Sequence, residues 1–154
     1  MKVIFYAVVI SLALCVSLAA EATEVDFSSV EIVNNSKELE WLIKGGNQNL
    51  YLVSFYMPGD NHEEVKADLQ SSLGTNAKYK DIVTYVEVNA ARRYQYQDLL
   101  QEIGIYNEPS SMYPYVLLMK AGEGYLFRGV DISDMVNRKI ESVIDKRVNF
   151  DSVS

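Results

Sequence analysis

The residue pattern changes abruptly between Leu50 and Glu64, and that change constrains the fold more than anything else in the chain. Leu50 to Tyr56 is near-continuously apolar, as expected of a central strand covered on both faces. Pro58-Gly59 breaks the run, and Asp60-Asn61-His62-Glu63-Glu64 passes at once into a charged helical pattern. Proline and glycine together mark a turn. A buried strand feeding a helix through a short loop is the unit of an α/β sheet, and such folds place their chemistry in that loop.

The flanking chain repeats the unit. Val25 to Val33 alternates loosely and reads as a first, edge strand. Asn35 and Glu38 then have capping-box spacing, and Leu39, Leu42 and Ile43 recur at helical intervals before Gly45-Gly46. Behind the loop, Val65 and Leu69, with Ala67 and Leu73 nearby, give a second helix an apolar stripe that Gly74-Thr75-Asn76 closes. Ile82 to Val88 is rich in Val, Thr and Tyr and reads as a strand. Tyr96, Leu99, Leu100 and Ile103 mark a third helix, capped by Gly104. A polar loop, Tyr106 to Ser111, leads to Tyr113-Pro114 and the strand Tyr115 to Lys120. Ala121-Gly122-Glu123-Gly124 turns back into Tyr125 to Arg128 as a hairpin. From Asp131 a last helix carries Val136, Ile140, Val143, Ile144 and Val148 at helical spacing.

Phe55, Tyr56, Pro58 and His62 resemble the active-site segment of the thioredoxin superfamily, above all the protein disulfide isomerase pattern Phe-Tyr-x-Pro-Trp-Cys-Gly-His-Cys-Lys. The helix ending Ile103-Gly104-Ile105 is similar to the same family, as is Tyr113-Pro114 before a strand that ends in a glycine turn. The resemblance runs from Val30 to Val148. It implies an α/β, thioredoxin-like domain over residues 25–150. That domain would hold a central mixed sheet of about five strands flanked by helices; the separate run Val3 to Ala20 puts an N-terminal hydrophobic helix before it. The resemblance further implies a cis bond before Pro114, facing the loop.

The resemblance breaks at the chemistry. Asp60 and Glu63 stand at the two cysteine positions, Gly59 at the tryptophan, and Ser54 where the family keeps a buried acid. Disulfide exchange needs a low-pKa thiolate and a resolving thiol. The chain's one cysteine, Cys15, lies in the N-terminal apolar segment, so the domain has neither thiol. No cofactor is expected. Asp60 and Glu63 read instead as a capping box at the positive end of a helix dipole. The competing reading is a weak metal site from Asp60, His62 and Glu63 or Glu64. Consecutive residues at a helix start rarely converge on one ion, and the chain has a single imidazole, so no metal is expected. His62 then reads as a solvent-facing remnant beside Asn61. Tyr56, Tyr106, Tyr113 and Tyr115, with Pro114, gather around the expected groove; they are either a partner surface or ordinary strand residues. The loop between Ile105 and Tyr113 is longer than the family usually shows.

Length allows one core and not two: 154 residues. A net charge of −7 with no basic stripe argues against nucleic acid. No nucleophile motif or glycine-rich phosphate loop is present, so no enzyme is expected. Met1-Lys2, the uncharged run Val3 to Ala20 and the acids after it read as a signal peptide or an uncleaved signal-anchor helix within residues 1–22. Either form sets the domain on the non-cytoplasmic side. That means the secretory pathway or endoplasmic reticulum lumen, or a membrane anchor; the mitochondrial inner membrane, facing the intermembrane space, is the alternative. Asn34-Asn35-Ser36 is a glycosylation sequon at Asn34. The functional expectation is a redox-inactive module that binds or scaffolds protein partners near Tyr113-Pro114. The alternative is an accessory structural subunit of a large membrane complex, such as a respiratory complex. An enzyme with non-thiol chemistry at Asp60 and His62 is the least supported reading.

Overall fold

The computed structural model describes residues 31–32, 36–44, 49–74, 76–79, 82–105 and 108–145. The run Val3 to Ala20, the sequon at Asn34, the Gly45-Gly46 stop, Tyr106 and Val148 lie outside these residues. Among the described residues, no helix is long and apolar enough to cross a membrane.

Strand β1 (Glu31–Ile32) and helix α1 (Ser36–Ile43) precede the central strand β2 (Leu50–Tyr56). Helix α2 (His62–Gly74), strand β3 (Val83–Asn89) and helix α3 (Gln97–Glu102) follow. The chain then forms β4 (Tyr115–Lys120), β5 (Glu123–Arg128) and helix α4 (Ile132–Ile144). The strands lie in the order β1-β3-β2-β4-β5. β1, β3 and β2 run parallel, while β4 and β5 are antiparallel to their neighbours. This is the mixed five-stranded α/β sheet that the sequence pattern led us to expect.

Side chains alternate across a strand, and β2 divides its apolar residues between two cores accordingly. Tyr51, Val53 and Phe55 point to the face covered by Leu39 and Leu42 of α1 and Leu99 and Leu100 of α3. Leu50 and Leu52 point to the opposite face, against Val65, Leu69 and Leu73 of α2 and Val136, Ile140 and Val143 of α4. Burial on both faces explains why β2 reads as a near-continuous apolar run. Ser54, fully buried, belongs by this alternation to the α2 side.

Three local details differ from the sequence pattern. Ala67, expected beside the α2 stripe, is exposed. The third helix is broken: a 3₁₀ segment spans Ala90–Gln95 with a kink at Arg92, and α3 begins only at Gln97. Its end is the expected glycine cap. Gly104 takes φ +88°, Gly104 N–H donates to Gln101 O and Ile105 N–H to Leu100 O, a Schellman motif. The hairpin is also tighter than expected. Ala121 (φ 54°) and Gly122 (φ 82°) alone make the turn, and Glu123 already pairs with Lys120 in β5. Two positive φ values match the twist of the flanking strands.

Candidate functional site

The loop after β2 is built by Pro58 and Gly59. Asp60 N–H donates to Met57 O at 3.1 Å, closing a four-residue turn. Pro58 sits second, and Gly59 sits third with φ +88°, the geometry of a type II turn. That turn delivers the Asp60 carboxylate beneath the start of α2. One oxygen accepts from Met57 N–H at 2.8 Å and the other from His62 N–H at 3.0 Å. The second oxygen also lies 2.6 Å from His62 Nδ1. The Asp60 side chain is only 4% exposed, so these contacts form away from water and at the positive helix end.

Asp60 therefore bonds the first helical N–H, but from one residue before the N-cap: α2 begins at His62 and Asn61 O accepts its first bond, so Asp60 and Glu63 do not form the expected capping box. The Asp60 N–H is taken by Met57 O, and Glu63 instead sets its Oε1 3.2 Å from His62 Nε2. The reading of His62 as solvent-facing is corrected as well. Its side chain is 15% exposed, held by Asp60 on one edge and stacked on Tyr56 with ring centroids 4.3 Å apart. Asn61 is exposed, and its carbonyl accepts from Glu64 and Val65 N–H.

A residue that the sequence reading passed over joins this group. Glu87 of β3 pairs in register with Ser54 of β2, which turns both toward α2. The Glu87 side chain is 9% exposed, and its Oε1 lies 3.1 Å from Lys66 Nζ of α2. The Tyr85 phenol stands between Ser54 and Glu87. Burial pushes it up from its ordinary range; Ser54 opposes that shift, and the Glu87 and Glu63 carboxylates add to it. One ligand atom each of His62, Glu63 and Glu87 falls within 4.8 Å of the other two, so these three could hold a metal ion. The signal available in sequence was a lone acid inside an otherwise apolar strand, Val83 to Val88.

The other side of the loop faces β4. The Tyr113–Pro114 bond is cis, as the family resemblance implied. Phe55 pairs with Tyr115, and the antiparallel register brings Pro114 level with the end of β2. Tyr113 and Tyr115 do not form a partner surface: they are 7% and 2% exposed and pack edge-to-face, 5.1 Å apart, in the α1–α3 core. Their parity is that of Phe55, which explains the burial. Tyr56 is half-buried and committed to His62. What remains open beside the cis-proline is Pro58, Gly59 and Asn61 on one side and Pro109, Ser110 and Ser111 on the other. Met57 and Met112, both partly buried, pack on the core beneath them. Chemically the loop offers carboxylates, one imidazole and backbone groups. With one cysteine in the chain, it cannot close an internal disulfide.

No family model matches the chain, and no curated protein matches it. Solved structures do. A thioredoxin from Malassezia sympodialis superposes with a TM-score of 0.54 at 16% identity, over 75% of this chain and 91% of that one. The first thioredoxin domain of mouse protein disulfide-isomerase A4 gives 0.54 at 14% identity, over 80% and 81%. Mitochondrial thioredoxin 3 of Saccharomyces cerevisiae gives 0.54 at 17% identity, over 75% and 97%. Sheet order, the cis-proline and these superpositions agree: the chain has the thioredoxin fold.

Proposed function

We propose that this protein is a non-catalytic thioredoxin-fold module that binds or scaffolds protein partners on the non-cytoplasmic side of a membrane. The observation that carries the reading is the state of Asp60. It stands where the fold's attacking thiol would be, and its oxygens are used in holding Met57, His62 and the start of α2. A group so engaged serves architecture, not turnover. The surface left for a partner is the rim of the cis-proline, Pro58, Gly59 and Asn61 with Pro109, Ser110 and Ser111, where a peptide segment can lie across apolar and small polar groups. The uncharged run Val3 to Ala20 favours a second reading, an anchored accessory subunit of a larger membrane complex.

The test is site-specific photo-crosslinking in the full chain after mild detergent extraction. A crosslinker at Pro58 or Ser111 should capture a discrete protein partner, and one at Asp134 on α4 should not. Co-migration with one large assembly selects the subunit reading. Catalysed reduction or oxidation of a protein disulfide by the purified chain would overturn both.

A further inference from the structure

We propose that His62, Glu63 and Glu87 form a binding site for a first-row divalent cation, with Zn²⁺ the physiological ion that suits one imidazole nitrogen and two carboxylates. The first argument is the imidazole. His62 Nδ1 lies 2.6 Å from Asp60 Oδ1. A carboxylate only accepts, so Nδ1 donates, and Nε2 faces Glu63 Oε1 at 3.2 Å. Two acceptors at that distance need a positive species between them: a proton on Nε2 or a metal ion. The spacing accommodates the ion as well as the proton, because two atoms bound to one Zn²⁺ at tetrahedral angles stand about 3.4 Å apart. Asp60 supplies the carboxylate behind the ring that orients metal-bound histidines.

Glu87 is the second, independent argument. It approaches from β3, not from the helix start, and its side chain is nine-tenths buried. A carboxylate that deep needs a cation or several donors. Lys66 Nζ supplies one cation 3.1 Å from its Oε1 and the Tyr85 phenol lies beside the carboxylate, yet Oε1 itself accepts no well-aligned hydrogen bond. Asp60, Glu63 and Glu87 thus bring three carboxylates to a place where Lys66 is the one ammonium among the described residues that pairs with them. The excess negative charge favours a dication. Lys66 opposes it by like-charge repulsion, so Lys66 sets the affinity.

The experiment titrates the full chain in detergent with Zn²⁺, followed by NMR of the ring of His62, the only histidine, and with Co²⁺, followed by its visible absorption. Saturable one-to-one binding that shifts the His62 ring supports the site. Glu63→Gln and Glu87→Gln should each weaken it about tenfold or more, and Lys66→Met should tighten it. Glu64→Gln, an exposed neighbour outside the trio, should leave affinity unchanged. Two results overturn the proposal: His62 signals that stay fixed at saturating Zn²⁺, or equal losses from Glu63→Gln and Glu64→Gln, the mark of adsorption on an acidic surface. Glu63 is 74% exposed, so its Gln variant keeps the fold and the comparison stands even where Glu87→Gln does not.

Discussion

Asp60 and Glu141 are both carboxylates that gather several donors at one end of α2, and they do so in opposite ways. Asp60, at the start, is 4% exposed, and the partners of its side chain are Met57 and His62, two and three residues away. Glu141, on α4, is 47% exposed, and it accepts from Lys78 and the Tyr79 hydroxyl, more than 60 residues away, just after α2 ends. The first network assembles with the loop itself and closes no long stretch of chain. The second forms only when α4 docks against the other core, so it carries the entropy of that closure. Water also treats them differently. Bonds to a buried carboxylate act in a low dielectric, whereas an exposed pair is screened. Local and buried should outweigh distant and exposed.

Asp60→Ala is the sharpest way to break that ordering. It leaves Met57 N–H, His62 N–H and the His62 ring without their acceptor, two of them in the first turn of α2. Loss of a cap together with stranded donors should cost about 3 kcal/mol, read by urea unfolding followed by circular dichroism. Tyr79→Phe tests the other network. Tyr79 is 6% exposed and gives up only its bond to Glu141. The expected loss is about 1 kcal/mol in the same assay. A larger loss from Tyr79→Phe than from Asp60→Ala would invert the comparison.

The same division separates what the sequence disclosed from what it hid. Features that depend on neighbours in the chain were legible. The near-continuous apolar run Leu50–Tyr56 announced a strand buried on both faces, Pro58-Gly59 announced the turn, and Gly104 announced the end of α3. Tyr113-Pro114 was recognisable because a short motif carried it. Features that depend on register were not. Glu87 showed in sequence only as a lone acid in its strand, because its burial follows from parallel pairing with Ser54, which no local pattern encodes. Tyr113 and Tyr115 read equally as a partner surface or as strand residues until the sheet placed them with Phe55 in the core. His62 failed for a mixed reason. Its bond to Asp60 is local, but its cover comes from Tyr56 at the end of the preceding strand. The candidate site is thus half local and half tertiary, and only the local half could be read in advance.

The smallest effect is the most specific, because pH separates Tyr79 from its surroundings. Burial, reinforced by the bond to Glu141, pushes the Tyr79 phenol up from 10.0 to about 12. In the unfolded chain the phenol returns to its ordinary value. The folded state therefore holds this proton more tightly, and the stability it contributes is complete below pH 10.0 and is lost as pH rises toward about 12. Wild-type protein should accordingly lose its advantage over Tyr79→Phe across that window. Tyr85 is also pushed up, mainly by burial, so both proteins carry a further alkaline loss that cancels in the difference. Paired unfolding curves at stepped alkaline pH, with tyrosinate absorbance recorded alongside, measure that difference directly. Convergence of the two curves ties Tyr79 to the docking of α4. A gap that stays constant through the window would mean that the hydroxyl acts by packing alone, and the distant carboxylate would then drop out of the comparison with Asp60.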